Sequence, residues 1–307
     1  MAKVVLSDID GTIAHYTPDL ELKGKIHPGS DEDGLVTFQD ERGEAHKLIK
    51  LPLSSTSKRG YISLKTVEKI NEVRAAKIPF ALVTGSRTST LEQRIPYLPV
   101  ADAYASENGG RIFFRHPSVT TAFFLKEDLG WRSRHDAAAG PHDQETLAPE
   151  KRTGSLWDLY RKLKEDGYSL DCRGHSTCMR VVSIGGGKTF DDLKKLLAED
   201  YPEIKCTWNL GRADLYPKTS GKLNAGLYIM KHFNAHPSNC VFLCDDDNDL
   251  ELAREVGQTF LPSITTDSVK QAILENPKKL NAIQGTSGTM ATEKALDLVL
   301  DHLGIEK

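Results

Sequence analysis

The sequence has few cysteines, no long apolar run and no excess of charge of one sign. Its five cysteines follow no regular spacing, which argues against a secreted domain built on disulfides. No apolar run approaches the roughly 20 residues that cross a bilayer, so we expect no membrane association. A formal net charge of −3 gives no reason to expect nucleic acid as a partner. What remains is an ordinary globular composition, with 39% hydrophobic and 27% charged residues among 307, enough for one large domain or two.

The chain begins with an apolar strand that runs directly into two aspartates. Residues Val4 to Leu6 predict a strand buried on both faces, as in a parallel sheet. Asp8 and Asp10 follow, and Gly11 permits a sharp reversal of the backbone. The pattern fits either a strand with an Asp-Gly turn or the edge of a catalytic site. Because the strand starts so early, we expect no signal peptide and a cytoplasmic protein, or an organellar one if a transit peptide was removed.

Two later apolar runs also end in polar side chains. The run 80–83 ends at Thr84 and Ser86, and the run 240–244 ends at a cluster of acidic and amide side chains. The carboxyl ends of parallel strands lie at one edge of a sheet, so the three clusters are expected to meet there. The third cluster consists of Asp245, Asn248 and Asp249.

The alternation of apolar strands and helices predicts an α/β fold with a doubly wound parallel sheet. We expect a core of residues 1–114 and 213–307, and a small α+β domain inserted at 115–212. Residues 14–60 are polar and predict either a small β-flap or a disordered surface loop. Within the insert, residues 132–155 are expected to form a flexible loop.

Close carboxylates repel one another, and a divalent cation is the natural compensation. Oxygen ligands of this kind suit Mg²⁺, which also binds substrate phosphate. An ionised Asp beside the cation can attack a phosphoryl group, and a second Asp can move the proton. A hydroxyl and a lysine would then hold the phosphoryl oxygens, where negative charge must be stabilised.

Four motifs in order carry a resemblance to a known family. They are Asp8-x-Asp10-Gly11-Thr12, Thr84-Gly85-Ser86-Arg87, Ser220-Gly221-Lys222 and Asp245-x-x-Asn248-Asp249. This set resembles the haloacid dehalogenase (HAD) superfamily of phosphohydrolases. The large insert between the second and third motifs is similar to the cap of subfamily IIB, or Cof-type, which includes sugar-phosphate phosphatases and phosphomannomutase.

The resemblance implies a role for each motif residue. Asp8 would be the nucleophile and an Mg²⁺ ligand, and Asp10 the general acid/base that gives its backbone carbonyl to the metal. Thr84 would bond the transferring phosphoryl group, Lys222 would steady nucleophile and phosphate, and Asp245 would complete the metal site. Asn248 and Asp249 would lie beside the metal, and Asn108 and Gly109 would line the substrate entrance. Thr12, Gly85, Ser86, Arg180 and Arg212 are further candidates for substrate contact.

Some assignments stay open at this point. The usual Ser-Lys-Gly of the third motif is replaced by Ser-Gly-Lys, so Lys218 is an alternative to Lys222. The cap residues Arg180 and Arg212 either face the site or lie on the solvated surface. Cys172, His175 and Cys178 have metal-like spacing, but a hairpin tip is the simpler interpretation.

These patterns together predict an Mg²⁺-dependent phosphomonoester hydrolase for a small phosphorylated metabolite, with a sugar phosphate as the leading class. The reaction would pass through an aspartyl-phosphate on Asp8. A phosphomutase on the same scaffold is the nearest alternative, and a non-hydrolytic phospho-accepting signalling protein is a more distant one. The partner would be the small-molecule substrate, and the protein a monomer or homodimer.

Overall fold

A computed structural model describes residues 2–27, 34–53, 58–116, 125–185, 187–209 and 212–305. The strands, in chain order, are β1 Val5–Ser7, β2 His15–Tyr16, β3 Gly24–Ile26, β4 Val36–Asp40, β5 Ala45–Lys50, β6 Gly60–Ser63, β7 Phe80–Val83, β8 Ala103–Ser106, β9 Arg111–Arg115, β10 Leu125–Glu127, β11 Ser169–Asp171, β12 Met179–Ser183, β13 Ile204–Asn209, β14 Arg212–Pro217, β15 Val241–Leu243, β16 Gln258–Leu261 and β17 Leu280–Ala282. The helices are α1 Thr17–Glu21, α2 Leu64–Ala75, α3 Thr88–Arg94, α4 Leu129–Arg132, α5 Asp136–Ala139, α6 Ser155–Glu165, α7 Phe190–Asp200, α8 Lys222–His232, α9 Leu250–Glu255, α10 Asp267–Glu275 and α11 Gly288–Leu303.

The main sheet has eight strands in the order β10-β9-β8-β7-β1-β15-β16-β17. Strands β8, β7, β1, β15, β16 and β17 run parallel, and β9 and β10 add an antiparallel edge. One apolar cluster covers each face, formed on one side with α8, α9 and α10 and on the other with α2, α3 and α11. The predicted doubly wound α/β core is confirmed.

Local signals in the sequence explain where the core elements begin and end. Ser63 caps the N-terminus of helix α2, because its side chain accepts a hydrogen bond from Thr66 N. The helix buries Ile70 and Val73 against the sheet. Helix α11 ends at Gly304, whose φ of 72° is the left-handed conformation typical of a helix C-terminus. None of the helices in the described ranges is long and apolar enough to span a bilayer.

The flap is a folded sheet rather than a loop. Strands β2 to β6 form five antiparallel strands in the order β2-β6-β5-β4-β3. A turn connects β4 and β5, where the Asp40 carboxylate accepts hydrogen bonds from the backbone of Arg42 and Glu44. Phe38, Leu48 and neighbouring side chains form a small apolar cluster beneath it. The alternative of a disordered loop is therefore wrong for the described residues.

The cap contains a second antiparallel sheet in the order β11-β12-β14-β13. Its own apolar cluster includes side chains of α6 and α7, such as Leu159, Leu163 and Leu193. Strand β10 pairs with β9 in the main sheet, and β14 pairs with β12 within the cap. The bounds 115–212 for the cap domain stay a prediction.

Residues 132–155, expected as a flexible loop, are instead compact. They contain the end of α4, all of α5 and three short 3₁₀ turns, and the side chains of Arg132 and His135 are buried. Arg132 reaches this position because its guanidinium donates to Gly140 O and Asp136 Oδ1. The prediction failed because buried polar side chains stabilise this segment, and apolar periodicity does not reveal them.

Candidate active site

A buried lysine joins two aspartates at the carboxyl edge of the main sheet. Lys222 Nζ lies 2.9 Å from Asp8 Oδ2 and 2.7 Å from Asp249 Oδ1. Asp8 follows β1, Asp249 follows β15, and Lys222 is the first residue of α8. The structure thus brings Lys222 to the site, whereas Lys218 is exposed.

The loop after β1 is held closely against the loop after β15. Thr12 Oγ1 donates a 2.7 Å hydrogen bond to Asp245 Oδ1. Gly11, in the loop after β1, has a φ of +84°. A Cβ at this position would stand 2.1 Å from Asp245 Oδ2 in the loop after β15. Only glycine satisfies both the backbone conformation and the space.

Burial and mutual repulsion govern the charges of this cluster. Burial raises the pKa of Asp8 to about 7, although Lys222 lowers it, and Asp249 adds a further rise. Burial, followed by Asp8 and Asp249, raises the pKa of Asp245 well above its usual value. Burial opposes the charge of Lys222, yet Asp249 and Asp8 raise its pKa above the usual range, so it stays protonated. One cation cannot balance three buried carboxylates.

The carboxylates of Asp8, Asp245 and Asp249 could hold a metal ion. One oxygen from each lies within 4.8 Å of the others, and all three residues are buried. An all-oxygen set of this kind suits Mg²⁺. Positive charge at this point would relieve the repulsion among the three carboxylates. These three residues therefore fit the predicted cation, whereas the motif resemblance implied Asp8, the Asp10 carbonyl and Asp245 as ligands, with Asp249 beside the metal.

The Asp10 carboxylate accepts hydrogen bonds from three donors outside the Asp8, Asp245 and Asp249 cluster. Tyr16 Oη and Arg94 Nη1 both donate to Asp10 Oδ1, at 2.6 and 2.7 Å. Ser86 Oγ donates to Asp10 Oδ2 at 3.0 Å. Burial alone would raise the pKa of Asp10, but Arg94 and the hydroxyl donors hold it below its usual value. Sequence reasoning found Ser86 and missed Tyr16 and Arg94, because neither belongs to a motif.

The loop after β7 presents a buried hydroxyl to the same edge. Thr84 is 1% exposed, and its Oγ1 accepts a hydrogen bond from the backbone N–H of Ser86. Gly85 stands between them in the turn. Within the described part of the chain Thr84 Oγ1 donates no hydrogen bond, so its hydroxyl hydrogen is available to a ligand.

Asn108 connects the core to the cap. Its amide accepts from Asn248 Nδ2 at 3.2 Å and donates to Asp214 Oδ2 at 3.1 Å. Its backbone has a φ of 53°, and Gly109, with a φ of 81°, passes so close to Gly221 that a Cβ would lie 2.6 Å from the Gly221 carbonyl oxygen. This turn therefore fixes the start of α8, and with it the site lysine.

The two cap arginines differ in their surroundings. Arg180 donates from Nε and Nη2 to Asp214 at 2.6 and 2.8 Å, so it joins the chain of contacts that reaches Asn108. Arg212 is exposed and lines a shallow groove beside residues 181–184 and 188–190. Arg87 pairs with Asp171 of the cap at 3.1 Å. Substrate contact by Arg180 or Arg212 remains a prediction.

In the described ranges, Cys172, His175 and Cys178 of the cap do not form a metal-binding group of side chains. None of the cysteines described there belongs to a group of side chains spaced to hold a metal ion. The Cys172 to Cys178 segment is a hairpin connection between β11 and β12, as the simpler interpretation expected.

Solved structures of similar fold cover the whole chain at low sequence identity. Sucrose-phosphatase from Synechocystis sp. PCC6803, solved with sucrose and phosphate, is 14% identical, with a TM-score of 0.60 over 100% of both chains. A sugar phosphatase of HAD subclass IIB is 13% identical, with a TM-score of 0.57 over 100% of both chains. A protein from Thermoplasma acidophilum is also 13% identical over 100% of both chains, with a TM-score of 0.56.

At these identities the likeness establishes the fold alone, which this chain shares with the sucrose-phosphatase and with the HAD subclass IIB sugar phosphatase. The fold implied by the four-motif resemblance is thereby confirmed. No protein-family model matches the chain, and no curated sequence matches it significantly.

Proposed function

We propose that this protein is an Mg²⁺-dependent phosphomonoester hydrolase that acts on a small phosphorylated metabolite through an aspartyl-phosphate on Asp8. The observation that carries the proposal is the buried group of Asp8, Asp245 and Asp249 joined by Lys222. A sugar phosphate is the leading substrate class, because two proteins of the same fold are a sucrose-phosphatase and a sugar phosphatase.

Each residue has a defined task in the reaction. Asp8 attacks phosphorus, a new Asp–O–P bond forms, and the ester bond to the leaving oxygen breaks. Asp10, which must first take up a proton against the lowering of its pKa by Arg94, donates that proton to the leaving oxygen and later removes one from the water that hydrolyses the aspartyl-phosphate. Thr84 and Lys222 stabilise the phosphoryl oxygens as negative charge develops. Mg²⁺, when bound by Asp8, Asp245 and Asp249, would add positive charge beside the phosphoryl group.

The cap would supply specificity. Arg180 and Asn108 both donate to Asp214 on the cap side of the site, and a polyhydroxylated substrate would gain selectivity by exchanging its hydroxyl groups into these contacts. A cap that covers the site also excludes water and disfavours large substrates.

The test is a panel of sugar phosphates and one aryl phosphate, assayed for released phosphate with and without Mg²⁺. We expect Asp8→Asn to lower turnover by at least about 10³-fold, because the amide cannot form the acyl-phosphate. Asp200→Asn, an exposed carboxylate at the end of α7, is the matched control and should keep full activity. Mg²⁺-dependent turnover by Asp8→Asn, or no phosphate release by the wild type from any ester, would refute the proposal.

Product analysis separates hydrolysis from phosphoryl shift on the same scaffold. With a sugar 1-phosphate as substrate, we expect free phosphate in proportion to the sugar consumed. Recovery of an isomeric sugar phosphate instead would identify a mutase, since Asp10 could serve either reaction.

A further inference from the structure

The two carboxylate oxygens of Asp10 differ in the number of hydrogen bonds that they accept. A carboxylate oxygen has two lone pairs available for hydrogen bonds. Both sites on Oδ1 are filled, by Tyr16 Oη at 2.6 Å and Arg94 Nη1 at 2.7 Å. Oδ2 accepts one described hydrogen bond, from Ser86 Oγ at 3.0 Å. Oδ2 therefore keeps capacity for a further proton or hydrogen bond, and Oδ1 does not.

Arg94 and Tyr16 also support each other. Arg94 Nη2 lies 3.4 Å from Tyr16 Oη, which closes a triangle with Asp10. Burial and the neighbouring carboxylate of Asp10 raise the pKa of Tyr16, so its hydroxyl stays protonated and remains a donor. The arrangement fixes the orientation of the Asp10 carboxylate from two directions.

The position of Arg94 is difficult to explain by stability alone. Its side chain is 2% exposed, and its Nε finds no hydrogen-bond partner among the residues that the structure describes. Burying an ion pair costs desolvation energy that the attraction seldom exceeds, and an unsatisfied N–H adds to that cost. Such a cost is typical of groups retained for function.

We infer that Arg94 and Tyr16 are positioning residues that hold Oδ1 of Asp10, and that Oδ2 is the atom that transfers the proton. The inference rests on the phosphatase reaction proposed above. It gives the flap a part in catalysis, because Tyr16 belongs to strand β2 of the flap, whereas Arg94 ends helix α3 of the core. The proton reaches the leaving oxygen from Oδ2 in the first step, and Oδ2 takes a proton from water in the second.

The experiment compares esters that need acid catalysis with an ester that does not. The substrates are the best sugar phosphate of the panel and 2,4-dinitrophenyl phosphate, whose leaving oxygen departs without protonation. The measured quantity is kcat/KM, which reports the steps up to release of the leaving group. The variants are Arg94→Met, Arg94→Lys and Tyr16→Phe.

We expect Arg94→Met to lower kcat/KM for the sugar phosphate by about 10²-fold, and for the dinitrophenyl ester by less than about threefold. Tyr16→Phe should show the same pattern with a smaller loss, roughly tenfold for the sugar phosphate, because Arg94 still holds Oδ1. Arg94→Lys should recover part of the loss, since lysine restores one charged donor but not the planar fork.

Arg74→Met is the matched control. Arg74 donates from Nε and Nη2 to Asp102 in the core, at 3.2 and 2.9 Å, and neither residue belongs to the four motifs. Its removal should leave the ratio of the two kcat/KM values unchanged. Equal losses on both esters in Arg94→Met would overturn the inference, because a purely structural role would weaken both reactions alike.

A crystal structure of Arg94→Met tests the positioning without any assay. We expect Asp10 to leave the rotamer seen in the wild type once Oδ1 has lost its charged donor. If Asp10 keeps the same rotamer and contacts, Arg94 does not position it and the inference fails. A wild type inactive on both esters would instead count against the proposed phosphatase, and this structural comparison would still decide the role of Arg94.

Discussion

The flap and the cap are both inserted into the core sequence, but they attach to the core by different interactions. The flap shares the apolar core, because Leu51 and Ile62 belong to the same cluster as Ile70 of α2 and Leu296 of α11. The cap has an apolar cluster of its own and meets the core mainly through polar side chains. The principal pairs are Arg87–Asp171, Glu107–Ser176, Glu107–Thr177, Asn108–Asp214 and Lys205–Glu251.

This difference indicates which part can move. Apolar burial is lost when surfaces separate, whereas polar contacts can be exchanged for contacts with water at a small net cost. We therefore expect the flap to stay fixed and the cap to open about its base. Trp131 is the apolar anchor at that base, where it packs in the core cluster and donates from Nε1 to Gly109 O at 2.9 Å.

The largest effect should come from cutting the apolar connection of the flap. Ile62→Ala removes a fully buried side chain from the shared cluster and should cost about 2–5 kcal/mol of the free energy of global unfolding. Leu163→Ala, equally buried but in the cap cluster, is the matched variant and should loosen the cap first. Denaturant unfolding followed by hydrogen exchange distinguishes them. Identical loss of protection in flap and cap for both variants would contradict the comparison.

Two buried histidines give a pH test of both attachments. Burial lowers the pKa of His15 in the flap to about 4, and of His135 in the cap base to about 4. The folded state disfavours their protonation, so stability is present above the unfolded pKa of about 6.5 and falls as pH decreases toward 4. We expect each histidine to lower the free energy of unfolding by roughly 2–3 kcal/mol over this pH window.

His15→Gln and His135→Gln should each flatten the pH dependence of the unfolding free energy. The contacts at stake are His15 Nε2 with Thr292 Oγ1 at 2.7 Å and His135 Nδ1 with Thr219 Oγ1 at 2.8 Å. An unchanged slope between pH 7 and pH 4 in both variants would show that these histidines are accessible to protons in the folded state.

A buried core glutamate accepts hydrogen bonds from the cap segment that connects β11 and β12. Glu107 is fully buried, and its Oε2 accepts hydrogen bonds from the backbone N–H groups of Ser176 and Thr177, both at 2.8 Å. Glu107→Gln should weaken this contact by about 1.5–3 kcal/mol, because a charged acceptor is replaced by an amide. Amide exchange at residues 176 and 177 should accelerate, while exchange in the flap stays unchanged.

The exposed side chain of Glu199 offers the control for that measurement, as Glu199→Gln. Unaltered exchange at both amides in Glu107→Gln would mean that the hairpin is held by other contacts. Although burial opposes it, His175, Arg111 and the two N–H groups hold the pKa of Glu107 below its usual value. The contact is thus retained at neutral pH and is lost only as pH falls through that lowered value.

The smallest effect is expected at the outer salt bridge between core and cap. Arg87→Met removes a 3.1 Å pair with Asp171, whose carboxylate also pairs with Arg173 at 3.0 Å. Since Asp171 keeps one partner, the loss should be at most about 1 kcal/mol and should shrink further in salt. Thermal melts at low and high ionic strength measure it. A larger loss would mean that this pair, rather than Glu107, holds the cap.

The parts of the fold that could be predicted depend on short-range signals. Apolar runs that end in polar clusters located β1, β7 and β15. The motifs named the residues at the carboxyl edge, because their chemistry appears as local spacing. Strand β10 escaped prediction, since Leu125-Lys126-Glu127 has no apolar pattern of its own and is defined by its pairing with β9.

The same limit applies to the candidate site. Asp8, Lys222 and Asp245 could be proposed from motifs, but the donors to Asp10 could not. Arg94 lies 84 residues from Asp10 and carries no local signal beyond its charge. Glu107 likewise reads as a turn residue, and its contact with the cap arises only when two distant loops pack together. Long-range polar pairing is specified by the assembled fold and leaves no periodicity in the sequence.

Gly11 also limits how this protein can evolve. A side chain there would collide with Asp245, so position 11 cannot drift independently of the loop after β15. Asp245 also accepts a hydrogen bond from Thr12. Substitutions at positions 11, 12 and 245, which lie in two distant segments, are therefore expected to depend on one another. In a saturation mutagenesis library selected for activity, position 11 should accept glycine alone, while exposed Gly43, which has a φ of +82° but open space for a Cβ, should also accept residues that tolerate this conformation, such as asparagine.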